Sequence, residues 1–91
     1  MSEPNAVAAA KPVLHIKVYS PFKTYFNDDA YSITAVNGTG PFDVLPKHHN
    51  FMTLLSACEL VIDRQGGVVR IRIARGIMHV KADQVIVFLD I

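Results

Sequence analysis

Residues 50–63 read NFMTLLSACELVID, and how this stretch is read decides the fold. It is apolar enough for a buried helix, yet it also divides into two strand-length pieces, and periodicity alone does not choose between them. The flanks do choose. On both sides the chain carries short alternating runs separated by turn residues, so two strands fit the context better than one helix.

Upstream, LHIKVYS (14–20) sets Leu14, Ile16 and Val18 against His15, Lys17 and Tyr19, a period of two that marks a half-buried strand. Pro21 interrupts it, and FKTYF (22–26) follows, rich in aromatic and β-branched residues. NDDA (27–30) has the composition of a turn, and YSITAV (31–36) alternates again. The next stretch reads as a loop enclosing a short apolar piece, Phe42 to Leu45. Downstream, DRQGG (63–67) is a hairpin turn, and VVRIRIAR (68–75) sets Arg70 and Arg72 on one face and Val69, Ile71 and Ile73 on the other. Gly76 breaks that run, IMHVK (77–81) resumes it, ADQ turns, and VIVFLDI (85–91) closes. The expected architecture is all-β, an antiparallel sandwich of about nine to ten short strands with no long helix. It occupies residues 13–91 as one domain, behind a lead (1–12) expected to be disordered.

Composition narrows the function classes. The sequence has 91 residues, 51% hydrophobic and 19% charged, enough for one core. A formal net charge of +1 gives no basic footprint for nucleic acid. The single cysteine, Cys58, has no internal partner and reads as a buried thiol in a reducing compartment. MSEPNAVAAAKP makes a poor signal peptide, and no apolar run approaches the ~20 residues of a membrane-spanning helix.

Chemistry is sparse. His48 and His49 are adjacent, so in an extended segment their side chains point to opposite sides, whereas a metal site needs three or four converging ligands. His15 and His79 fall in separate strands, on the solvent-facing phase. No nucleophile elbow is present, Cys58 has no evident histidine partner, and Asp28-Asp29 fall in the expected turn. NGTGP lacks the spacing of a phosphate loop. The Arg70/Arg72 stripe, with Arg75 nearby, reads either as a solvated face or as a contact for an acidic partner.

The order of motifs is more specific than any one of them. LHIKVYSP (14–21), KTYF, AYSITAV, GPFDVLPKHHNFMTLL (40–55) and RGIMHVKADQVIVFLD (75–90) follow one another in the register of the epsilon subunit of rotary F-type ATP synthases, and the chain resembles that family's N-terminal β-sandwich domain. The matching positions in the fourth and fifth motifs include Gly40, Val44, Leu45, Pro46, His48, Thr53, Leu55, Gly76, Val80, Val85, Val87 and Asp90. Asp43, Lys47 and Arg75 stand where the family pattern has glycines, Pro41 replaces an acid, and His49-Asn50 replace Ala-Pro. Loss of those glycines is expected to change the freedom of the loop backbone.

The resemblance implies a non-catalytic rotor part. It would bind the gamma subunit and the c-subunit ring, reach the alpha/beta catalytic head only indirectly, and couple ion translocation to ATP synthesis. It implies no cofactor, no nucleic acid, and membrane contact only through the complex, on the cytoplasmic face. Carried over by position, the ring-facing loop is Asn37, Gly38, Thr39, Gly40, Pro41, Phe42, Lys47 and His48. Family members continue into a two-helix C-terminal hairpin that inhibits hydrolysis, and this sequence ends before it, at Ile91. Two other readings stand beside this one, a stand-alone interaction or ligand-binding sandwich and a metal enzyme using the histidines.

Overall fold

The computed structural model describes residues 12–90, so all of the expected lead except Pro12 lies outside the described residues. Nine strands follow in order: β1 (Leu14–Tyr19), β2 (Thr24–Ala30), β3 (Ser32–Asn37), β4 (Gly40–Val44), β5 (Phe51–Leu55), β6 (Cys58–Arg64), β7 (Gly67–Ile73), β8 (Gly76–Lys81) and β9 (Gln84–Leu89). Residues 50–63 are two strands, as their surroundings required. Hydrogen bonding runs β2-β1-β9-β8-β5-β3-β6-β7, with β4 added to β3.

Alternation explains the layering. Leu14, Ile16 and Val18 of β1, Val85, Val87 and Leu89 of β9, Leu60 and Ile62 of β6 and Ile33 and Ala35 of β3 belong to one buried cluster. Strands far apart in the hydrogen-bonded order can share a core only if the sheet folds over and sets its two halves face to face. The fold-over occurs at a single pair, Asn37↔Leu55, where β5 hands over to β3. Fully burying each large aliphatic side chain stabilises the domain by about 1.5–3 kcal/mol.

Four features depart from the sequence reading. The sheet is mixed, because β1 pairs with β9 in parallel, from His15↔Gln84 to Tyr19↔Phe88. Side-chain alternation sets the faces of a strand but not the direction of its neighbour. NDDA is not a turn but the end of β2, paired with β1 as far as Leu14↔Ala30. Its polar groups are used within the strand: the Asp29 N–H donates to Asp28 Oδ1, and Asn27 and Asp29 contact His15. The short apolar piece around Phe42 is likewise strand β4, registered from Asn37↔Gly40 to Ile33↔Val44. Phe22, expected at the start of a strand, lies in the β1–β2 turn and is 89% exposed.

Of the three positions at which the resemblance implies glycine, only one uses a conformation that glycine favours. Lys47 holds φ +67, whereas Asp43 and Arg75 have negative φ. Lys47 therefore holds its turn at a cost in strain.

Candidate docking surfaces

Asn37 organises the β3–β4 turn. Its Oδ1 accepts the Thr39 N–H at 2.9 Å and the Thr39 hydroxyl at 2.7 Å, and its Nδ2 donates to Thr53 Oγ1 at 3.2 Å. Gly38 and Thr39 form an exposed tip, and Gly40 completes the turn at φ +119. Registers Asn37↔Leu55, Leu55↔Gly76 and Gly76↔Leu89 place this tip at the end of the domain that also carries Arg75 and Asp90. Those two form an exposed ion pair at 2.9 Å.

Lys47 and His48 lie at the other end. The Lys47 N–H donates to Asp83 Oδ1, and the Ala82 N–H donates to Asn50 Oδ1, both at 2.8 Å, which clamps this loop to the β8–β9 turn. Between the two groups runs β4, five residues long, or roughly 17 Å of extended chain. The eight candidate residues therefore do not form one patch. Pro41 is exposed on the strand between them, and Phe42 packs edge-on against Phe51 at 6.1 Å.

His48 and His49 do not point to opposite sides. The left-handed Lys47 turns the backbone out of an extended path, and the two rings lie 5.2 Å apart. His48 also lies 4.9 Å from the Phe51 ring, and its Nδ1–H donates to the His49 carbonyl at 2.9 Å. The ring is thus occupied with its neighbours. Among the described residues no group of three or more His, Cys, Asp or Glu is arranged to hold a metal ion. Cys58 is a free, buried thiol.

His15, on β1, bridges to β2 through both ring nitrogens: Nδ1 lies 3.0 Å from Asp29 Oδ1 and Nε2 lies 2.8 Å from Asn27 Oδ1. The hydrogen bond to Asp29, then that to Asn27, raises its pKa above 6.5.

The sequence reading passed over an apolar row on the surface. Leu54 (72% exposed) pairs with Ile77 (41%), Ile77 with Phe88, and Phe88 with Tyr19 in one continuous cross-strand row. Met52 is 65% exposed on the same face of β5. A groove beside the row is lined by Leu54, Ile77, Phe88, Gly76, Arg75 and Asp90. The signal was present in residues 51–55, FMTLL, where apolar residues occupy both phases of the alternation. One phase fills the core, and the other faces outward without a cover.

Residues 13–91 match the model of the family described as ATP synthase, Delta/Epsilon chain, beta-sandwich domain. Over 77 residues the chain is 31% identical to the ATP synthase epsilon chain of Geobacter sulfurreducens, covering 85% of this chain and 56% of that one. It is 29% identical, over the same shares, to the ATP synthase epsilon chain of Ruthia magnifica. The chain thus spans about half the length of these curated relatives. Among solved structures, a chain from the OSCP/F1/c-ring structure of Euglena gracilis mitochondrial ATP synthase superposes with TM-score 0.79 at 19% identity, covering 90% of this chain and 54% of that one. A chain from the central stalk/c-ring structure of Tetrahymena thermophila mitochondrial ATP synthase gives 0.73 at 17% identity, covering 89% and 66%.

Proposed function

The chain belongs to the family of ATP synthase delta/epsilon-chain β-sandwich domains, and from that premise we propose that it is a non-catalytic central-stalk subunit that binds gamma and rests on the c-subunit ring. The observation that carries the gamma contact is the exposed row Leu54–Ile77–Phe88 with Met52 beside it, on a domain whose core is closed. An uncovered row of this kind marks a protein contact. Support for the ring contact comes from the two matched folds, both of which belong to ATP synthase structures that include a c-ring.

Because the candidate residues occupy both ends of β4, the ring contact falls to one of those ends. The Asn37–Gly40 tip is the better choice, since Gly38 and Thr39 are exposed while His48 is packed on Phe51 and His49. Rotation transmitted through such a domain asks for resistance to shear, which two hydrogen-bonded sheet halves packed on one core provide. The subunit would then sit at the membrane surface only through the ring.

Calorimetric titration with the cognate gamma subunit tests the first contact. The wild-type chain binds, and Leu54→Asp abolishes binding while leaving the folded spectrum intact. Failure of the wild-type chain to bind gamma refutes the reading. For the ring, Asn37→Ala weakens docking and His48→Ala does not, and the reverse order would move the contact to the opposite end.

A further inference from the structure

Among the described residues three strands, β2, β4 and β7, pair on one side only. An open edge offers its backbone N–H and C=O groups to any passing strand, and folded proteins usually block it. Two of these edges are blocked. In the β3–β4 hairpin, Asn37 and Gly40 flank a two-residue turn and so form the hydrogen-bonded pair. Strand alternation then turns Pro41 outward, where it has no N–H to offer. β2 is broken by a register shift opposite Val18/Tyr19, and it points Asp28, the partner of buried Ile16, toward the core side.

β7 carries neither device. The same two-residue turn makes Arg64↔Gly67 a hydrogen-bonded pair, so Val68, Arg70 and Arg72 direct their backbone groups to the open side. The strand runs 7 residues without proline or register shift. Its outer face carries exposed Val68, Arg70 and Arg72, and its inner face carries half-buried Val69 and Ile71 at the margin of the core. Glu59 stands opposite Arg72 but bonds Arg70, at 3.2 Å. Among the described residues Arg72 has no ion pair.

We propose that β7 accepts, as an added strand, an extended segment of a protein partner that alternates acidic and apolar residues. Its acids face Arg70 and Arg72, and its apolar side chains extend the core margin beside Val69 and Ile71. Backbone bonds supply the affinity, and the alternating side chains select the sequence. A second copy of this chain is disfavoured, because antiparallel self-pairing about Arg70 sets arginine against arginine, and like charges directly opposite destabilise a sheet.

Amide hydrogen exchange of the labelled chain tests this, using a short capped peptide of alternating glutamate and valine. The Val68, Arg70 and Arg72 amides slow by about tenfold or more with this peptide and are unchanged by a lysine–valine control. Arg70→Pro, which repeats on β7 what Pro41 does on β4, abolishes the protection with the remaining spectrum native. The double variant Arg70→Glu/Arg72→Glu keeps the backbone edge and weakens the peptide about tenfold, as expected for two cross-strand pairs turned repulsive. Equal protection by both peptides, or undiminished binding by the double variant or by a folded Arg70→Pro chain, overturns the proposal. Concentration-dependent protection without peptide would assign the edge to a second copy and overturn it as well.

Discussion

Replacing Gly76 with alanine tests how closely β8 and β9 are packed. A Cβ built there meets the Phe88 carbonyl oxygen at 2.8 Å and Leu89 Cδ2 at 3.2 Å. The first contact is backbone, held by the Gly76↔Leu89 and Ile77↔Phe88 registers, so it cannot rotate away as a side chain would. Forcing an extra methyl group into such a site costs about 1–3 kcal/mol. Alanine also restricts the unfolded chain, which returns about 0.4–1 kcal/mol. The net loss is about 1–2 kcal/mol, and at about 4–8 °C per kcal/mol for a domain of this size the midpoint falls by roughly 5–15 °C. Gly38→Ala is the control, because nothing lies within 4 Å of its added Cβ and its φ is ordinary, so only the entropic gain remains and the midpoint rises slightly. Thermal denaturation followed by circular dichroism reads both variants. If they shift in the same direction, the close approach at Gly76 does not govern the outcome.

At Lys47, the left-handed backbone costs about 1–2 kcal/mol for any side chain with a Cβ. Lys47→Gly removes that strain but loosens the unfolded chain, for a net gain of roughly 0.5–1 kcal/mol; a lowered midpoint would contradict the conformation at φ +67. The His15 bridge is pH-dependent. Its pKa is raised on folding, so the stabilisation it adds is full below 6.5 and is lost as pH rises through the folded value. Accordingly, the midpoint difference between wild type and His15→Gln narrows with rising pH, and proton NMR shows His15 titrating above 6.5. A pH-independent difference would refute the coupling to Asp29.

Much of the architecture was legible because period-two patterning is a local property. Leu14/Ile16/Val18 and Val85/Val87/Leu89 announce their buried faces within a few residues. Pairing direction is not local, which is why the parallel contact of β1 with β9 could not be read. NDDA misled because Asn and Asp satisfy backbone and side-chain partners equally well at a turn and along an exposed edge strand. The candidate docking residues named from the sequence do not share one place in the fold. Asn37 to Gly40 and Lys47 to His48 are close in sequence, yet an extended strand carries the chain from one end of the domain to the other. The histidine pair drew attention that FMTLL should have received, since a strand apolar on both phases implies a second surface in want of cover.

The position of β9 bears on how the domain forms. It lies between β1 and β8, and its parallel register with β1 joins His15 to Gln84, residues from opposite ends of the sequence. While a ribosome is still making the chain, β1 can pair with β2 but leaves its other edge and the buried face of Leu14, Ile16 and Val18 without their neighbours. Closure of the core waits for the last strand to emerge and insert. Folding is therefore a late event with a high entropic barrier, of the kind that places sequence-distant β proteins in the millisecond-to-second range. Until β9 arrives, β1 is left with an open edge and an uncovered apolar face.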